Sequence, residues 1–128
     1  MKKSFIFLSM IVTVLVLSLT GCYKDTLLPE AAVDPDGPPQ AVSFNTELKP
    51  LLNTKCAISG CHVSGARKPF LTPDVSYQQI VNGGFVNLIV PKQSIMYTKL
   101  NGEMREYMTA ATDRQKVYDW IRNGALNN

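Results

Sequence analysis

The segment "KCAISGCHVSG", residues 55–65, sets two cysteines five positions apart and places the chain's one histidine directly after the second. Any fold of this chain must bring Cys56, Cys61 and His62 together, and the triplet admits three chemistries. A disulfide between the cysteines would close a very small loop and give His62 no role. A structural zinc site needs four strong ligands, so the triplet is one short unless a carboxylate joins. Type 1 copper takes two histidines, which this chain does not have. The third chemistry is covalent haem, in which two thiols add to the two vinyl groups and a histidine next to the second cysteine is carried under the iron. The usual spacing leaves two residues between the cysteines, whereas Ala57, Ile58, Ser59 and Gly60 stand between these. Thioether attachment constrains where the cysteines end, not the path between them, and a gap with a small residue and a glycine can bulge outward.

The choice depends on compartment, because free thiols do not persist in exported proteins. "MKKSFIFLSMIVTVLVLSLTGC" opens with Lys2 and Lys3, runs uncharged and apolar from Phe5 to about Leu19, and ends in small residues before Cys22. This is the layout of a bacterial export signal. The apolar run is short for a spanning helix, which needs roughly 20 residues. Leu19-Thr20-Gly21-Cys22 resembles a lipobox, so residues 1–21 read as a lipoprotein signal peptide and Cys22 as a lipidation site. Acyl chains contribute about 0.8 kcal/mol per buried methylene, and a second chain makes anchoring stable. The protein is therefore expected in the bacterial cell envelope, lipid-anchored on a periplasmic or outer-membrane face. Tyr23 rather than aspartate follows Cys22, which favours the outer membrane.

Removing residues 1–21 takes Lys2 and Lys3 from the thirteen basic residues and none of the ten acidic ones, leaving eleven against ten. With no broad cationic surface, nucleic acid is excluded as a partner. Residues 22–42, "CYKDTLLPEAAVDPDGPPQAV", contain four prolines and no sustained period, and read as a tether. Residues 43–128 form one small domain, for which a hydrophobic core alone is marginal, since a chain of about 60 residues buries only roughly 60% of its surface.

The domain reads as mostly α. Phe44, Leu48, Leu51 and Leu52 lie on one helical face leading into Cys56, with Pro50 opening or kinking the helix. In "TPDVSYQQIVNGG" Thr72 is a natural N-cap, Pro73 suits the first helical position and Gly83 can close the helix, whose inner face holds Tyr77 and Ile80. A shorter helix is expected over about Ser94–Leu100. In "TDRQKVYDWIRNG" Thr112 and Gln115 form a capping box, Val117, Trp120 and Ile121 make the inward stripe, and Gly124 stops the helix. "FVNLIV", residues 85–90, is the one strand-like run.

The segments "ELKPLLNTKCAISGCH", "YQQIV", "VPKQSIMYTKL" and "VYDWIRNGALNN" together resemble small single-haem c-type cytochromes of exported bacterial lipoproteins, with a Cys-x4-Cys-His variant of the attachment motif. The resemblance covers Phe44 to Asn128. It implies a cytochrome c-like helical domain wrapped around one covalent haem c, with Cys56 and Cys61 in thioether bonds and His62 as an axial iron ligand. His62 would donate its other ring N–H to a proline carbonyl in the following loop, for which Pro69 matches better than Pro73. In the family a Met-Pro pair before the last helix supplies the sixth ligand; here Met108 precedes Thr109. Met108 is the favoured ligand, Met104 the alternative, and Met96 a packed core residue. Trp120, Tyr77, Tyr97 and Tyr107 read as packing or hydrogen-bonding residues.

If protein ligands fill both axial positions, the protein carries electrons between redox partner proteins and is not an enzyme. One histidine excludes a second c-type haem and bis-histidine ligation, and a hydrolytic triad would compete for the same His62. Two alternatives stand beside the electron carrier: a gas or redox sensor with an open or labile sixth site, and a haem-free, disulfide-closed surface lipoprotein. Lys49, Lys55, Arg67 and Lys68, with Glu47 the only nearby acid, suggest a local basic patch for an acidic partner.

Overall fold

The structure, a computed structural model, describes residues 33–128; the expected signal peptide, Cys22 and most of the expected tether lie outside them. The described chain is helical, with no strand among these residues. A π-helical turn, Phe44–Leu48, runs directly into α1, Lys49–Lys55. Helices α2 (Ser76–Val81), α3 (Ile95–Asn101) and α4 (Ala111–Arg122) follow, with a 3-10 turn at Pro91–Gln93 before α3.

Pro50 accounts for the first change of winding. It lacks an N–H, and its ring would crowd the carbonyl four residues back in a tight α-turn. The wider turn ahead of it relieves that crowding, and the regular helix starts with Pro50 in its first turn. Ser43 caps the wide turn: its Oγ accepts from Thr46 N–H at 3.3 Å, while Glu47 Oε2 accepts from Ser43 N–H at 3.0 Å. The carboxylate sits four residues on rather than three because the turn is one residue wider than an α-turn.

Three expectations about local structure need correction. Helix α2 starts at Ser76 with no side-chain cap, and Thr72 serves through its carbonyl, which accepts from Val75 and Ser76 N–H at 3.1 and 3.0 Å. Its hydroxyl is buried without a hydrogen-bond partner among the described residues. The capping box at Thr112 and Gln115 does not form, because the N-cap of α4 is Ala110, two residues earlier, and Gln115 instead donates to Asp119 Oδ1 at 2.9 Å. Residues 85–90 are a loop, since no neighbouring strand exists to take its ladder bonds and Asn87 binds the backbone locally. At the end of α2, Gly84 supplies the left-handed residue at φ 76°. Gly83 is required by space: a Cβ there would lie 2.2 Å from Gln79 O.

The core forms where the first turn, α1 and α4 meet. Phe44, Leu48, Leu52, Val117, Trp120 and Ile121 are essentially fully buried, whereas Leu51 only packs against their edge. The Phe44 ring lies 5.2 Å from both Tyr77 and Trp120, edge-on to the former and tilted to the latter. Aromatic groups at such spacing add about 0.5–1.5 kcal/mol per pair beyond burial. The two ends of the chain close over this cluster: Trp120 Nε1–H donates to Leu126 O at 2.8 Å, and Asn45 N–H to Asn128 O at 2.8 Å.

Residues 35–42, expected as tether, lie against α4. Arg122 donates to Pro35 O and Gly37 O, Asn123 Nδ2 to Gln40 O, and Gln40 N–H to the buried carboxylate of Asp119 at 3.2 Å. Val42 joins the core at 6% exposure. The folded body therefore takes in at least eight residues ahead of Ser43.

Candidate functional site

Helix α1 delivers Cys56 as its C-cap, the Cys56 N–H bonding to Leu52 O at 2.9 Å. The chain then doubles back. Cys61 N–H donates to Ile58 O at 2.9 Å and His62 N–H to Cys56 O at 3.2 Å, so the four intervening residues form a closed turn. Gly60 turns the backbone at φ 79°, and Ile58, Ser59 and Gly60 face outward. The longer insert is thus carried as a surface bulge while Cys56, Cys61 and His62 all line one cavity.

The next loop is tied back onto the triplet by Arg67 N–H to Cys61 O at 2.9 Å and Leu71 N–H to His62 O at 2.8 Å. It brings Pro69 O to 2.9 Å and Arg67 O to 3.2 Å from His62 Nδ1. Both neighbours are carbonyls and can only accept, so Nδ1 carries the proton and Nε2 the lone pair. The imidazole is oriented with its Nε2 lone pair unprotonated in this tautomer, the arrangement a metal-ligating histidine uses. Pro69, not Pro73, is the proline in contact.

The cavity measures about 370 Å³, within the range of small-molecule sites, and is open on one side. Its walls are largely apolar: Leu52, Leu71, Ile80, Phe85, Met96 and Leu100. Met104, half-buried, also lines it, whereas Met108 is 1% exposed within the core cluster, its carbonyl accepting from Arg114 Nη1 at 2.6 Å. Lys55, Arg67, Lys68 and Lys99 sit on the cavity's lining with Glu103, which pairs with Lys99 at 2.8 Å. Lys49 lies off it, over the Phe44 ring. Tyr107 closes one side, its phenol pKa raised by a hydrogen bond to the Glu106 carboxylate.

Both cysteines are free, half-buried thiols. Burial, and secondarily the neighbouring Cys61, push the Cys56 thiol up to about 11. Cys56 is therefore a neutral thiol at pH 7, not an activated thiolate of the kind that serves nucleophilic catalysis. No three His, Cys, Asp or Glu side chains gather at a point that could hold a metal ion among the described residues.

Phe85, Leu71, Lys99 and Glu103 are walls of the cavity that the sequence did not single out. The apolar run 85–90 made Phe85 a strand residue; only the glycine pair before it hinted at a loop turning back on α2. No family model, curated protein or solved structure matches the chain.

Proposed function

We propose that the domain is a single-haem c-type electron carrier, anchored to the bacterial envelope through lipidated Cys22. The observation that carries this reading is the convergence of a cysteine pair and an Nδ1-pinned imidazole on one apolar cavity. Cys56 and Cys61 would hold haem c by thioether bonds, with His62 Nε2 as one axial ligand. Met104, half-buried on the cavity wall, would be the second iron ligand in place of Met108, whose side chain is buried in the core cluster. The bound group supplies one-electron Fe(II)/Fe(III) chemistry. The residues' part would be to fix and tune it: Pro69 O holds the His62 ring in place, and Leu52, Ile80, Phe85 and Leu100 exclude water and lower the local dielectric, which favours the less charged ferrous state.

The test is a haem stain of the denatured protein recovered from an exporting bacterial host with cytochrome c maturation. Stain that stays with the chain, and is lost in Cys56→Ala/Cys61→Ala, is the expected result. An unstained chain with a Cys56–Cys61 disulfide would establish the haem-free surface domain instead. Rapid binding of carbon monoxide by the reduced, stained protein would mark an open-site sensor.

A further inference from the structure

The loop between α2 and α3 holds consecutive aliphatic side chains out of the fold. Leu88, Ile89 and Val90 are 54%, 92% and 41% exposed, and Ile95 at the start of α3 is 47% exposed. This loop is not slack. Asn87 Oδ1 accepts the N–H groups of Ile89 and Val90 at 3.0 and 2.9 Å, and Asn87 N–H donates to the buried Ser94 Oγ at 2.9 Å. Gln93 N–H closes the far side on Val90 O at 2.8 Å. Single exposed aliphatics are ordinary, but a contiguous apolar tip with a fixed backbone marks a contact surface.

Where the chain leaves the body says what covers the tip. The segment bound to α4 reaches Asp36, which pairs with Lys92, two residues beyond Val90. Twelve residue-to-residue steps separate Cys22 from Asp34. At no more than ~3.6 Å each, they span at most roughly 43 Å. A lipid at Cys22 therefore holds the exit point, and the tip beside it, within that distance of the bilayer. Lys92 is the only charged residue between Phe85 and Thr98, and Asp36 pairs with it, so little charge opposes burial of this face in lipid.

We propose that the Leu88–Ile89–Val90 tip seats in the headgroup and upper acyl region of the bilayer and gives the domain a fixed orientation there. This rests on the lipid anchor assigned to Cys22. Ile95, which lines the cavity, carries the apolar surface from the tip to the cavity, so seating would also set how the cavity faces the membrane.

The experiment uses the full, processed protein in phosphatidylethanolamine/phosphatidylglycerol vesicles, spin-labelled at Ile89→Cys or, as a control at an exposed aliphatic outside the tip, Leu126→Cys. Labelling of the unsubstituted protein sets the background from Cys56 and Cys61. Flotation tests the anchor, and the ratio of oxygen to aqueous nickel-complex accessibility tests the tip. A ratio at position 89 about tenfold above that at 126 is expected, falling toward the control when Leu88→Asp is added. Equal ratios in protein that floats overturn the proposal and leave the anchor standing. Protein that fails to float removes the anchor and the proposal together. Spin–spin broadening at position 89 that rises with protein concentration overturns it in favour of a second copy of the chain.

Discussion

Met104 and Met108 lie four residues apart in one irregular stretch, yet they occupy different environments, and substitution separates their roles. Met108→Ala empties a fully buried site, so it is expected to cost about 2–5 kcal/mol in denaturant unfolding and to leave the sulfur–iron charge-transfer band of the oxidised protein in place. Met104→Ala is expected to abolish that band, lower the potential and admit cyanide at smaller cost in stability, because its side chain is only half-buried. The opposite pattern would return the ligand to Met108. Cys56 gives a second check in chain produced without cofactor. Its folded pKa of about 11 lies above the ordinary 9.0, so the unfolded thiol loses its proton first as pH rises. The stability this confers is complete below about pH 9 and gone as pH passes 11. Unfolding midpoints measured from pH 8 to 11 should fall accordingly, and a Cys56→Ala chain should lack that component.

Helix ends were the part of the secondary structure that sequence reading placed least well. Ser43 and Glu47 were not legible as a cap because the S-x-x-E pattern assumes an α-turn, and Pro50 makes this one wider. Ser43→Ala is expected to cost about 1 kcal/mol or slightly more, since its hydroxyl also donates to Asn128 O at 2.8 Å. Thr112→Ala, at the expected but absent cap of α4, should be near neutral by the same measurement. The true restraint on the start of α4 is Arg114, buried to 6% exposure, whose guanidinium donates to the carbonyls of Met108 and Thr109. Arg114→Met should cost about 3 kcal/mol in urea unfolding, because two part-buried carbonyls lose a charged donor. An arginine inside a predicted helix reads as a solvated surface charge, and nothing in its spacing announces a role in fastening the methionine loop.

At the scale of the whole molecule, charge and its placement part company. The chain past residue 21 is nearly neutral, but Lys55, Arg67, Lys68 and Lys99 gather on the cavity lining against Glu103 alone. If an acidic redox partner docks there, second-order electron-transfer rates should fall as the Debye length shrinks toward about 8 Å at physiological ionic strength. Lys68→Glu should flatten that dependence, and Lys49→Glu, off the lining, should leave it nearly unchanged. A flat response in the parent would remove the acidic partner.

The helical class and most of the apolar stripe were legible because α-helical periodicity is local: Leu48, Leu52, Val117, Trp120 and Ile121 are the buried residues that spacing indicates. The Cys56–Cys61–His62 grouping was legible for the same reason, as the sequence separation forces proximity. What lay beyond local reach was which distant residues complete the cavity. Phe85 and Leu71 come to it through turns that a period-two or helical pattern does not encode. Which methionine faces it depends on how the stretch before α4 is pinned by Arg114, and that pinning is a tertiary contact. The binding of residues 35–42 to α4 was hidden likewise, since prolines and scattered acids show only that no regular element forms. A segment without periodicity can still be held by another element's side chains, as Arg122, Asn123 and Asp119 hold this one, and only the folded arrangement supplies those partners.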